Sequence, residues 1–148
     1  MKKRIEREIS VFKKNQDYCY LVDYKFIDTN FEACFNLLLE NRIILVKIIC
    51  SNSYPFTPPK VEVGCKKYIN LLRPYPIIQN YKKELGYEKC MCCSSILCNW
   101  TVIHTLYNII EEIKKNFIIK KRLNYLIFAK KITFQKLGLN IPIIAQFL

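Results

Sequence analysis

Glycine and histidine are scarce in this chain: its 148 residues include three Gly and a single His, His104. No Gly-rich loop is present to cradle a phosphate, no Ser/His/Asp arrangement can be assembled, and no pair of carboxylates is set up for acid–base work. His104 falls in a helix-like stretch and is read as structural. Long apolar runs are missing too. The longest are interrupted by Lys47 or by Asn41-Arg42, so no membrane span is expected. The start, Met1-Lys2-Lys3-Arg4, is basic but leads into Glu6 and Glu8 instead of an apolar stretch, and does not read as a secretory signal. Eight cysteines without an export signal point to a reducing compartment, cytoplasmic or nuclear. Free thiols, a metal site or a catalytic nucleophile are then expected in place of a disulfide framework.

The length suits one domain spanning 1–148, large enough to bury a core, and 51% hydrophobic with 24% charged residues is a folded composition. Positive charge dominates, with 24 Lys+Arg against 12 Asp+Glu, a formal +12. Such an excess suits nucleic acid, an anionic membrane or an acidic protein partner. The basic residues are scattered in pairs, however, with no long Lys/Arg tract.

Residues 2–15 show helical spacing, with Ile5, Ile9 and Phe12 on one face and Lys3, Arg4, Arg7 and Lys14 elsewhere. Three strand-like segments follow. Tyr18 to Ile27 would place Tyr18, Tyr20, Val22, Tyr24 and Phe26 on one side; Phe31 to Leu39 places Phe31, Ala33, Phe35, Leu37 and Leu39 on one side; Ile43 to Cys50 is nearly all apolar. The links Asp28-Thr29-Asn30 and Glu40-Asn41-Arg42 are too short for crossovers, so an antiparallel meander is expected, with Val61-Glu62-Val63 as its fourth strand. Between the third and fourth strands lies Tyr54-Pro55-Phe56-Thr57-Pro58-Pro59, whose prolines remove backbone donors and fix φ, forcing a rigid turn. Residues 64–89, punctuated by Gly64, Arg73-Pro74, Pro76 and Gly86, read as a loop carrying an insertion. Helical spacing returns from Ile103 through Leu106, Ile110, Ile113 and Phe117, continues as another basic helix over 118–131, and a last short helix is expected near Pro142.

Before the Ile103 helix sits Cys90-Met91-Cys92-Cys93-Ser94-Ser95-Ile96-Leu97-Cys98-Asn99-Trp100. Its four thiols admit three readings. They can be small buried hydrophobes. They can be zinc ligands, although Cys-x-Cys-Cys-x₄-Cys is not the usual knuckle spacing. Or one can be a thioester-forming nucleophile, since a thiolate both attacks an acyl carbon and leaves readily.

The order of a basic helix, a meander, Tyr-Pro-x-x-Pro-Pro, cysteine, tryptophan and helix resembles the ubiquitin-conjugating enzyme family over residues 2 to about 117. The resemblance implies an α+β fold in which an antiparallel sheet packs on helices. It implies a carrier that accepts ubiquitin, or a ubiquitin-like modifier, from an activating enzyme as a cysteine thioester and passes it to a substrate lysine or a ligase. No cofactor is implied, since ATP is used one step earlier. Cys93-Ser94-Ser95-Ile96-Leu97 matches the family's active-cysteine string and selects Cys93; counting back from Trp100 at full family spacing selects Cys92. By the same resemblance Lys3, Arg4 and Arg7 face the activating enzyme and Phe56 the ligase. The family's His-Pro-Asn triplet is missing. Asn70 is the nearest amide by family spacing to stand in for its oxyanion-stabilising Asn, with Asn80 and Asn99 behind it. Two competing functions follow: a catalytically inactive variant that binds ubiquitin for another enzyme, and a basic nucleic-acid-binding domain with a cysteine metal site.

Overall fold

In a computed structural model, which describes residues 1–14, 18–73 and 90–136, the chain opens with helix α1 (Lys2–Lys14). Ile5, Ile9 and Phe12 are all buried, so the apolar stripe read from the sequence is the face α1 turns inward. Strands β1 (Cys19–Ile27), β2 (Asn30–Leu39), β3 (Arg42–Cys50) and β4 (Lys60–Val63) follow as an antiparallel meander. A short β5 (Lys66–Lys67) completes a sheet of order β1-β2-β3-β4-β5 among the described residues, one strand more than expected. Two consecutive residues at positive φ, Gly64 at 54° and Cys65 at 63°, reverse the chain into β5. Two exposed lysines carry no apolar alternation, which is why the sequence hid this strand.

The inner face of the sheet is set by β2, where Phe31, Ala33, Phe35, Leu37 and Leu39 are all buried as the alternation required. Val46, Ile48 and Cys50 of β3 lie across from Phe35, Ala33 and Phe31 and continue that face. The nearly continuous apolar run of β3 is not buried on both sides: Ile43 and Leu45 point to the open face.

β1 departs from the alternation expected of it. Its register shifts between Leu21 and Asp23, leaving Val22 as an extra residue. Ahead of the bulge Cys19 and Leu21 oppose the inward Leu37 and Phe35; beyond it Tyr24 and Phe26 oppose the inward Ala33 and Phe31. A one-residue insertion moves the core face from odd to even positions. Tyr24 and Phe26 therefore share the face of Phe31, with rings 6.1 and 5.0 Å from it, although Tyr24 stays exposed at the margin, while Tyr20 and Val22 do not, so the five residues expected on one side are divided.

Residues 64–73 are not a loop. Beyond β5 they form one turn of helix, α2 (Tyr68–Leu71), which buries Tyr68. The remainder of the expected insertion, 74–89, and the short helix expected near Pro142 lie outside the described residues. The final described element is α3 (Leu106–Lys136), a single continuous helix where two successive ones were expected. Leu106, Ile109, Ile110, Ile113, Ile119 and Leu123 are buried, and α3 lies with α1 over the inner face of the sheet. The fold is α+β: helices on one face of an antiparallel sheet.

α3 starts three residues later than the periodicity suggested. Thr105 Oγ1 accepts from the Asn108 N–H at 3.3 Å, and the Asn108 side chain accepts from the Thr105 N–H at 2.9 Å, a reciprocal cap that fixes the first turn. Ile103 lies ahead of that cap and is 78% exposed, so it is no part of the buried stripe. Among the described residues no helix is long and apolar enough to cross a membrane.

Candidate functional site

Two loops meet ahead of α3: the proline turn between β3 and β4, and the cysteine segment from Cys90 to Trp100. The proline turn is fastened from inside. Tyr54 is buried and donates from its hydroxyl to Glu8 Oε2 at 2.7 Å. The same carboxylate oxygen accepts the Leu106 N–H at 2.8 Å, and Oε1 accepts Arg4 Nε at 2.7 Å. Glu8, only 7% exposed, thus joins α1, the proline turn and the first turn of α3, where a carboxylate also meets the positive end of the helix dipole. Burial, followed by that carboxylate contact, pushes the Tyr54 phenol far above its ordinary range, so it stays a hydrogen-bond donor.

The cysteine segment is joined to the turn by Trp100. Its indole Nε1 donates to the Pro55 carbonyl at 2.7 Å, and its ring lies 5.8 Å from Tyr54. His104 accepts the Thr101 N–H on Nδ1 at 3.0 Å, packs its ring 5.6 Å from Trp100, and accepts an N–H from Arg4 Nη2 on its backbone carbonyl at 2.9 Å. All of its described contacts are structural. From below, Glu112 of α3 accepts Ser95 Oγ at 2.7 Å, the Ile96 N–H at 2.5 Å and the Tyr68 hydroxyl at 3.0 Å. Glu8 and Glu112 therefore hold the two loops from two sides, and neither was singled out in the sequence, because their partners are remote in the chain.

At the top of the segment three thiols converge. Cys90 Sγ lies 2.8 Å from Cys92 Sγ, and Cys92 Sγ lies 3.9 Å from Cys93 Sγ. The three sulfurs are all within 4.8 Å of one another, whereas Cys98 is not of the group. Their ionisation is unequal. The Cys92 thiol, followed by the Cys93 backbone, donates to Cys90 and lowers its pKa to about 7. Cys92, facing that thiolate and losing some hydration, is pushed up to about 11. Cys93 is exposed, Cys92 half-buried. Of the two nucleophile candidates, Cys93 is the more accessible and Cys92 stays a thiol at neutral pH. Cys90, unnoticed as a nucleophile in the sequence, carries the largest thiolate fraction of the Cys90–Cys92 pair.

The amides fare differently. Asn70 is exposed on α2, and no described contact joins its side chain to the cysteines. Asn80 lies outside the described residues. Asn99 does reach the site, donating from Nδ2 to the Cys93 carbonyl at 2.7 Å and to the Ser95 carbonyl at 3.0 Å. Both of its N–H bonds are thereby used, so Asn99 holds the Cys93 backbone and has no donor left for an oxyanion.

The partner-binding candidates also separate. Lys3 and Arg7 are exposed on α1, while Arg4 is turned inward to Glu8 and the His104 carbonyl. Phe56 is 80% exposed at the tip of the proline turn, beside the two fastened aromatics yet packed against neither. Set against known proteins, the chain matches no family model, no curated protein and no solved structure.

Proposed function

We propose that this chain is a thioester carrier of the ubiquitin-conjugating type. The Cys93 thiolate attacks the carbonyl of a modifier held as a thioester on an activating enzyme; the new C–S bond forms as the donor cysteine leaves as a thiolate. A substrate lysine amine, or a ligase cysteine, then attacks that carbonyl and Cys93 is released. Ubiquitin or a ubiquitin-like protein is the cargo. Lys3 and Arg7, exposed on α1, suit steering of an acidic activating enzyme, and Phe56 suits an apolar ligase contact. Arg4 contributes to that encounter only through whatever its contact with Glu8 leaves free.

One observation carries the reading. An exposed cysteine sits on a loop that is clamped to the head of a long helix and bonded, through Trp100 and Pro55, to an aromatic proline turn. A thiol that must be reached by two large partners in turn, without its loop collapsing, calls for that combination of exposure and anchorage.

The same site also favours a second reading, a silent variant that binds ubiquitin without carrying it. Asn70 makes no described contact with the cysteines and Asn99 is committed to two carbonyls, so among the described residues neither of these candidate amides is placed to stabilise the transfer oxyanion. The test is a non-reducing gel after incubation with ubiquitin, ATP and an activating enzyme, with Cys93→Ser, Cys92→Ser and Cys90→Ser beside the parent. A reductant-sensitive band one ubiquitin heavier, lost only in Cys93→Ser, is expected. Loss only in Cys92→Ser or Cys90→Ser moves the nucleophile. No band with any ubiquitin-like modifier leaves the silent variant.

A further inference from the structure

The three thiols do more than present a nucleophile. We propose that Cys90, Cys92 and Cys93 form a three-thiolate site for a thiophilic d¹⁰ cation, zinc or copper(I). Metal–sulfur bonds of about 2.3 Å place thiolates about 3.8–4.0 Å apart around one ion. Cys92 and Cys93 already stand at 3.9 Å, and Cys90 reaches the same separation by swinging its side chain out from 2.8 Å. Soft thiolates select these ions over magnesium or calcium.

The backbone of all three ligands is held. The Cys90 carbonyl accepts Ser94 Oγ at 2.6 Å and the Ser94 N–H at 3.0 Å; the Cys92 carbonyl accepts the Ser95 N–H at 3.3 Å; the Cys93 carbonyl accepts the Asn99 amide at 2.7 Å. Glu112 then fixes Ser95 and Ile96 to α3. A site tied down in this way pays little to gather its ligands. Met91 is buried and turned away, so the donors are thiolates alone, and the exposure of Cys93 leaves the ion a way in. Cys98, five residues after Cys93, is not one of the converging sulfurs. Each thiol gives its proton to solvent as it binds, up to three per ion. An ion on Cys93 uses the lone pair that a thioester needs, so metal and modifier exclude each other; that clause alone rests on the function proposed above.

The test is anaerobic titration of the reduced full chain with Co²⁺, read by the thiolate-to-cobalt charge-transfer band, followed by displacement with Zn²⁺ and, separately, with Cu(I) in a competing chelator. One ion per chain is expected, with Cys90→Ser, Cys92→Ser and Cys93→Ser each weakening it at least about 100-fold and Cys98→Ser leaving it unchanged. The arm that displaces Co²⁺ more tightly names the ion. Should a serine variant lose its far-ultraviolet helix signal, alkylation of the parent replaces it: the bound ion should protect Cys90, Cys92 and Cys93 while Cys65 and Cys98 react. Absence of the band, a band that survives Cys93→Ser, a site that needs Cys98, or no selective protection overturns the proposal. None of these readouts uses ubiquitin, so the site and the carrier function stand or fall separately.

Discussion

Replacing Glu8 tests how the loops around the cysteines are held. Glu8 is nearly buried and accepts three donors from three elements: Arg4 Nε on α1, the Tyr54 hydroxyl in the proline turn and the Leu106 N–H at the head of α3. Glu8→Ala strands all three. Breaking a buried, hydrogen-bonded ionic group in this way costs about 3–5 kcal/mol, a large share of the ~5–15 kcal/mol that keeps a domain folded. Glu8→Gln should be gentler. With its amide oxygen at the Oε2 position it still accepts from Tyr54 and Leu106 and loses only Arg4, whose side chain is partly hydrated; about 1–2 kcal/mol is expected. The sole tryptophan, Trp100, lies against Tyr54 and bonds Pro55, so its fluorescence reports unfolding from the very region perturbed. With a urea m-value of about 2 kcal/mol/M, Glu8→Ala should lower the midpoint by ~2 M and Glu8→Gln by less than half as much. Equal losses for the two variants would show that the charge on Glu8, and not its three bonds, is what matters. A loss below about 1 kcal/mol for Glu8→Ala would refute the three-way joint itself.

Trp100→Phe keeps one aromatic ring but removes the N–H bonded to Pro55 and part of the indole; it should cost at least ~1–2 kcal/mol by urea unfolding followed through far-ultraviolet ellipticity, and no loss would mean that bond is dispensable. Phe56→Ala, at 80% exposure, should change stability by less than about 0.5 kcal/mol while slowing ligase-stimulated discharge of the thioester; an unchanged discharge rate removes Phe56 from the contact. Alkylation of Cys90, followed by peptide mass spectrometry, should rise as pH passes about 7, because a depressed pKa leaves the thiolate populated above that point and protonated below it. In Cys92→Ala the donor is gone and the midpoint should move up toward an ordinary thiol near ~8.5; a midpoint that stays put refutes the assignment. Asn99→Ala frees the Cys93 and Ser95 carbonyls and should cost about 1 kcal/mol, with Cys93 alkylation accelerated as its loop loosens.

Local rules carried most of the fold. The stripe Ile5, Ile9, Phe12 fixed the buried face of α1, strict alternation fixed β2, and short links with no room for a crossover fixed the antiparallel order. They failed where geometry changes without a change in composition. The bulge at Val22 flips the face of β1 although Tyr20, Val22, Tyr24 and Phe26 keep perfect alternation. Two positive-φ residues make a strand of Lys66-Lys67 that no apolar pattern announces. The cap at Thr105 and Asn108 shifts the start of α3 away from Ile103.

The candidate site divides along the same line. Sequence by itself determined that four thiols fall between residues 90 and 98 and that a proline-rich aromatic turn stands at 54–59, because residue type and near spacing are one-dimensional facts. Only the tertiary structure decided which sulfurs meet, that Asn99 and not Asn70 reaches Cys93, that Arg4 turns inward, and that Glu8 and Glu112 hold the loops. Those outcomes depend on contacts such as Glu8 to Leu106, 98 residues apart in the chain, and no local preference of either residue encodes such a pairing until the sheet and helices have brought them together.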